Sequence, residues 1–452
     1  MADRLVVIGG DAGGMGAATQ ARRRRPDLEI VALEKGRWTS YSACGIPYVV
    51  GGDVAFDDLV VRSPEEHRRR SNIDVRMQHE VMAIDLDRRE VEVRDLTAGG
   101  DGHTYRLGFD LLQIGLGALP IRPNLPGMDD AHVHGVQTLE DAADLLEDAE
   151  QGALRHVVVV GAGYIGLEIA EAFVMRGCPS VTVVERLPEV MSTLDPDMGA
   201  LVSDAMRSEG IDVRCGTSVA GVEGGVVRTD AGDIEADLVV LGLGVVPNTR
   251  LANEAGIAVG VKDAIKVDVR QQTSVDGVWA AGDCCESFHL VSRRPAHVAL
   301  GTVANKQARV AGINIGGGYA TFPGVVGTAV TKLCATEVAR TGLSEREAKE
   351  AGFDYVVARI ESTTRAGYFP GAAKITVKLL AEKRSGRVLG GQIVGKEGAA
   401  KRIDVLATAI TAGLSVEEMT ALDLSYAPPF SPVWDPVLVA ARKATDILDG
   451  PP

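Results

Sequence analysis

A chain of 452 residues, 46% of them hydrophobic, carries more apolar material than one core buries, so two or three domains are expected. Its net charge of −15 argues against nucleic acid or an anionic membrane as partner, and no apolar run reaches the ~18 residues of a membrane span. Six scattered cysteines without zinc-like spacing, and no signal-peptide pattern, point to a reducing cytoplasm.

Only 4% of residues are aromatic and 53 are glycine, which suits an α/β protein with many tight strand–helix turns. The first element is a strand, Leu5–Ile8. A turn of Gly9, Gly10, Asp11, Ala12, Gly13 and Gly14 follows, then an alanine-rich helix ending in Arg22–Arg25. A second strand, Ile30–Glu34, ends in an acid 25 residues beyond Gly9, near the offset a ribose-binding carboxylate needs. Lys35 comes next. The free N–H groups at the helix start would meet a pyrophosphate. Asp11 replaces the middle glycine of the usual pattern, and a carboxylate there must turn away or find a donor. The basic end of the helix reads either as a complement to its dipole or as a phosphate anchor.

Cys44 lies shortly afterwards, in Thr39–Tyr48, with no cysteine five residues to either side. Such a sulfur has to find its redox partner elsewhere, on a small thiol or on oxygen as a sulfenic acid. A populated thiolate calls for a helix N-terminus or a nearby cation.

Asp110–Gly117 reads as a strand and exit, with Pro120, Pro126 and Gly127 in a linker. The strand–turn–helix pattern then repeats: His156–Val160, the complete Gly161, Ala162, Gly163, Tyr164, Ile165, Gly166 turn, and a helix through Phe173. The next strand, Val181–Glu185, places its acid 24 residues beyond Gly161. Two such units in one chain point to two dinucleotides. Glu185 would accept hydrogen bonds from both ribose hydroxyls and repel a 2′-phosphate, which favours NADH over NADPH, although the neighbouring Arg186 softens that repulsion. Tyr164 and Glu168 are expected to face the nicotinamide.

Ala236–Asn248 is the matching exit, and Val278–Ala281 delivers Asp283 to a glycine turn expected at a helix start, where it would also serve as N-cap. The adjoining Cys284 and Cys285 read as packing, as do Cys178, Cys215 and Cys334. From about Tyr319 the glycine-rich turns stop. Lys374–Leu380 and Gly390–Val394 predict an antiparallel sheet, followed by helices over 399–412 and 416–422. Lys396, Lys401 and Arg402 form a second basic cluster. Prolines fix the path of Leu424–Asp435, and Tyr426, assisted by Tyr368, is suited to protonate a departing thiolate.

Ser42–Tyr48, Gly395–Asp404 and Tyr426–Ser431 together carry a resemblance that runs over nearly the whole chain. It resembles the single-cysteine branch of the two-dinucleotide flavoprotein disulfide reductases, which includes coenzyme A disulfide reductase, NADH-dependent persulfide reductase and NADH oxidase. The resemblance implies two Rossmann-like dinucleotide-binding domains plus a C-terminal α+β dimerisation domain. FAD would occupy 1–117 with 246–318, NADH (or NADPH) 118–245, and 319–452 would pair two subunits. Glu34 would hold the adenosine ribose of FAD and Asp283 its ribityl chain. Tyr426 and Tyr368 would reach the partner's active site. Gln20, Arg23, Ser40 and Asn305 would lie along a coenzyme A channel. Ala43 and Trp434 depart from the pattern, standing where some relatives carry Asn and a basic residue. The implied activity is NAD(P)H-driven reduction of coenzyme A disulfide, or of related disulfides and persulfides, through Cys44. The alternatives are an NADH oxidase working through a Cys44 sulfenic acid, and an electron-transfer reductase serving an iron–sulfur or rubredoxin-like protein.

Overall fold

The computed structural model describes residues 3–97, 102–151 and 154–450. Two parallel five-stranded sheets carry the repeated units. In the first, the strand order is 278–280, 111–114, 4–8, 29–34, 74–77. In the second it is 212–215, 180–185, 156–160, 238–241, 133–134. The central strands Leu5–Ile8 and Val157–Val160 are buried at every position, as expected where helices cover both faces of a parallel sheet. The two units are joined by an antiparallel pair, Ala118–Pro120 with Val245–Pro247, so the chain leaves the first unit and returns to it through one ribbon.

The third part is an antiparallel sheet in the order 329–333, 336–342, 388–395, 374–382, 355–363. Helices Ala399–Ala412 and Pro436–Asp449 pack their buried faces on it, with Ile403, Leu406 and Ala440 in the same core as Val377 and Ile393. Fold class and three-part architecture are those expected, and the helix at 399–412 lies where the sequence predicts it. One expectation fails. After Asp283 the chain turns through Cys284 and Cys285 into the short strand Ser287–His289, and the next helix begins only at Gly301. Asp283 is therefore no N-cap. The Gly282 turn, at φ +92°, leads into extended chain instead.

The third part is clamped to the second unit by buried charge. Lys378, 3% exposed, reaches Asp195 at 3.1 Å, Asp197 at 2.6 Å and Glu345 at 2.5 Å. Gln392 donates to Asp195 at 2.7 Å, and Arg340 donates to the Thr193 carbonyl at 2.8 Å. Burial works against the Lys378 charge, but the three carboxylates outweigh it and hold its pKa above the ordinary lysine value. Lys378→Met leaves the buried Asp195 without its cation. It should cost about 3 kcal/mol, read as a lower denaturant midpoint; an unchanged midpoint would show that the clamp carries no stability.

Candidate functional site

Both glycine turns are shaped by close backbone approach. Gly9 has φ +103°, and a Cβ there would stand 2.2 Å from the Gly115 carbonyl oxygen. A Cβ on Gly13 would meet the Ala281 oxygen at 2.4 Å, and one on Gly14 the Gly9 oxygen at 1.9 Å. The second turn repeats this: Gly161 has φ +98°, and a Cβ on Gly166 would lie 2.0 Å from the Gly161 oxygen. Gly163, by contrast, faces open space, where a phosphate can approach the backbone.

The acid of each unit is anchored identically. Glu34 accepts the N–H of Gly10 at 2.6 Å and of Gly36 at 2.7 Å. Glu185 accepts the N–H of Ala162 at 2.9 Å and of Leu187 at 2.8 Å. Each carboxylate is thus fixed at the strand end beside its phosphate loop. Burial raises the Glu34 pKa, partly offset by the Gly36 and Gly10 N–H groups. Lys35 turns to Glu80 at 2.9 Å.

Asp11 finds the donors its position demands. Burial pushes its pKa up to about 6, opposed by the backbone N–H groups of Tyr41 and Ala12 and reinforced by Glu34 and Asp283. Asp283 is raised by burial and lowered by His297, whose Nε2 lies 2.7 Å from the Asp283 carbonyl. Its buried Oδ1 has no hydrogen-bond partner. An orphaned acceptor beside a glycine cradle fits a polyhydroxylated ligand chain, so these residues suit the ribityl and pyrophosphate of FAD. Gly163, Ala162 and Glu185 suit the pyrophosphate and ribose of a nicotinamide dinucleotide.

Cys44 is exposed, in a 3-10 turn, Ala43–Gly45, that runs into the helix Ile46–Gly51. A Cβ on Gly45 would stand 2.3 Å from Leu59 Cδ2, so the Leu59 side chain would have to shift. Ile46, Val49 and Val50 share one core with Leu167, Ala170 and Phe173 of the second unit's helix, Tyr164–Met175. The sulfur consequently sits between the two dinucleotide sites. Burial raises its pKa, and so do Glu168 of the second site and Asp283 and Asp11 of the first. Of the two aids expected for the thiolate, the structure offers the helix N-terminus, with Cys44 at the head of Ile46–Gly51, while no cation is among the groups with the largest effect on it. Its own backbone N–H works in the other direction.

No second sulfur is paired with it: all six cysteines are free. Cys284 and Cys285 are buried in the core of the first unit, 3.7 Å apart. Cys178, Cys215 and Cys334 are half-buried in other parts of the chain.

Sequence reasoning missed a set of contacts from the third part. Thr331 Oγ1 donates to Glu168 at 2.7 Å, and Lys332 pairs with Glu171 while its ammonium lies 5.5 Å from the Tyr48 ring centre. These partners are 161 and 163 residues apart along the chain, so no local pattern announces them. Tyr164 has a buried hydroxyl without a hydrogen-bond partner, beside Thr193, and its pKa is raised by burial.

The two tyrosines expected to serve catalysis are both exposed, Tyr426 by 46% and Tyr368 by 78%, and close enough for Tyr368 to act on the Tyr426 hydroxyl. Neither is among the groups acting on Cys44 of the same chain. Arg402 holds their segment, donating to Asp435 at 2.9 Å and to the Phe430 carbonyl at 2.8 Å. Lys401 pairs with Asp404 while staying largely exposed, and Lys396 donates to Thr336. Arg22 likewise spends its guanidinium on the Ser71, Asn72 and Pro26 carbonyls, and Arg25 on Asp3. Arg23 remains exposed, with no ion-pair partner among the described residues. Gln20 lies on helix Ala12–Arg24, against Gly312 of helix Gly301–Ile315, which also carries the exposed Asn305. Ser40 is in the Cys44 loop, four residues ahead of the sulfur.

Residues 3–308 match the family described as pyridine nucleotide-disulphide oxidoreductase, and residues 328–436 its dimerisation domain. The chain is 38% identical over 444 residues to an NAD(P)H sulfur oxidoreductase (CoA-dependent) of Pyrococcus furiosus, covering 97% of this chain and 98% of that protein. It is 36% identical over 447 residues to an NADH oxidase of Methanocaldococcus jannaschii, covering 98% of each. The solved NAD-dependent persulfide reductase from A. fulgidus superimposes with a TM-score of 0.95 at 40% identity, over 99% of this chain and 84% of that one.

Glu168→Gln removes one of the charges that oppose the Cys44 thiolate. Alkylation of Cys44 by iodoacetamide should then reach half-maximal rate at lower pH than in the wild type. An unchanged or higher midpoint would contradict this electrostatic reading.

Proposed function

The chain belongs to the pyridine nucleotide-disulphide oxidoreductases, and on that footing we propose that it uses NADH to reduce disulfides or persulfides of the coenzyme A class through Cys44. The observation that carries the proposal is one exposed sulfur between two dinucleotide sites, with every other cysteine elsewhere in the chain. An internal disulfide has no second member here, so the mixed disulfide forms with the substrate.

FAD, when bound, supplies a two-electron relay between nicotinamide and sulfur. The residues of 1–117 and 246–318 hold it: Gly9 to Gly14 cradle its pyrophosphate, Glu34 its ribose and Asp283 its ribityl chain. Those of 118–245 hold NADH, with Glu185 accepting from both ribose hydroxyls. Cys44 thiolate attacks a sulfur of the disulfide RSSR, giving Cys44–S–S–R and releasing RS⁻. That thiolate takes a proton from Tyr426 of the partner subunit, which Tyr368 assists. Two electrons from NADH then break the mixed disulfide, releasing the second RS⁻ and restoring Cys44 thiolate. The balance is NADH + H⁺ + RSSR → NAD⁺ + 2 RSH.

Residues 319–452 pair two subunits, and the exposed Tyr426 and Tyr368 support a site shared between them, since they do not meet their own Cys44. Gln20, Arg23, Ser40 and Asn305 line the coenzyme A channel. Ala43 and Trp434 leave it two polar groups short of the usual pattern, although Arg442 lies over the Trp434 ring at 4.6 Å. Free thiols suit a reducing cytoplasm. Among the described residues no helix is long and apolar enough to cross a membrane.

The absence of a second cysteine paired with Cys44 also serves a second reading, an NADH oxidase that reduces oxygen through a Cys44 sulfenic acid. Cys44→Ser separates the roles. It should retain FAD and bind NADH, yet lose at least 100-fold in disulfide turnover, on the order of the whole nucleophilic contribution. Wild-type turnover in that variant would end the proposal. Rapid oxygen consumption by the wild type without added disulfide would favour the oxidase.

A further inference from the structure

His67 is 2% exposed, on the helix Pro64–Ser71 that Ser63 caps. Its Nε2 lies 2.9 Å from Ser40 Oγ, and its Nδ1 is buried without a hydrogen-bond partner. Ser40 is held in a left-handed conformation, φ +52°. Its N–H donates to the Gly10 carbonyl at 2.9 Å and its carbonyl accepts from Val61 N–H at 2.9 Å. The backbone of Ser40 is therefore fully engaged and pinned to the phosphate loop, and only its hydroxyl remains.

Burial and the nearby Arg62 lower the His67 pKa, against an opposing effect of Glu66, so the ring is neutral and carries one N–H. If that hydrogen were on Nδ1, a buried donor would be left unpaired. On Nε2, the unpaired atom is an acceptor, the less costly vacancy. The ring then donates to Ser40 Oγ. The Ser40 O–H has no other partner among the described residues and is turned away from His67. Arg62, one of the groups that act on His67, has no ion-pair partner among the described residues. On a chain of net charge −15, this unpaired cation beside His67 favours an anion there.

We propose that His67 is a positioning residue for substrate recognition: it donates to Ser40 Oγ and so presents the Ser40 O–H to a phosphate oxygen of the thiol substrate that enters at Cys44. The inference rests on the coenzyme A reading above and names how that site tells a phosphorylated thiol from an unphosphorylated one.

The test compares coenzyme A disulfide with the disulfide of pantetheine, which has the same reactive arm and no nucleotide phosphates. His67→Phe should raise KM for coenzyme A disulfide about tenfold more than for pantetheine disulfide. His67→Gln, which retains an N–H donor near the Nε2 position, should restore the wild-type ratio. Ser40→Ala should show the same loss, and the double variant no further loss. If His67→Phe fails to fold, His67→Leu, which also lacks the donor, takes its place in the comparison with His67→Gln. Equal KM shifts on both disulfides, or additive effects of the two substitutions, would overturn the role of His67. Equal wild-type KM values for the two disulfides would overturn the coenzyme A reading itself, and the inference with it.

Discussion

The helix that carries Cys44 at its head, Ile46–Gly51, is six residues long and has no stability of its own. Ile46, Val49 and Val50 hold it in place by burial against Leu167, Ala170 and Phe173 of the second dinucleotide unit, a few kcal/mol by area. Everything chemical in the molecule depends on that contact. It places one sulfur where charges from both sites act on it, and it couples the loop of the first unit to the helix of the second. The same helix, Tyr164–Met175, receives Thr331 and Lys332 from the antiparallel sheet. All three parts therefore meet at one helix, beside the sulfur.

The electrostatics of this centre run against the thiolate. Asp11, Asp283 and Glu168 are acids whose own pKa values are raised by burial, and each disfavours ionisation of Cys44. An acidic, desolvated centre of this kind binds ligands that donate hydrogen bonds, such as ribose and ribityl hydroxyls. The unpaired Arg62 acts on His67, which lies against the Ser40 hydroxyl.

Much of this was legible in the sequence because it is local. The glycine turns, the acids Glu34 and Glu185, and the lone Cys44 are set by short-range backbone constraints, and the structure shows the close approaches those constraints imply. What local reading could not supply was the destination of long side chains. The basic helix end at Arg22 read either as a dipole complement or as a phosphate anchor, and Arg22 is spent on carbonyls. Asp283 looked like a helix cap because a glycine precedes it, but the chain continues extended. His67 went unnoticed: a histidine one turn into a short polar helix carries no signal until the fold sets it against Ser40. The contacts of Thr331 and Lys332 depend on how the third part docks, which no window of sequence records.

Intact-mass and peptide mass spectrometry of the protein, purified without reductant, reads the state of the sulfur directly. The account predicts a reducible adduct of coenzyme A mass on the peptide containing Cys44 and on no other. Cys44 found in a disulfide with another cysteine of the chain would contradict it, because the sulfur would then have the internal partner that the fold denies it.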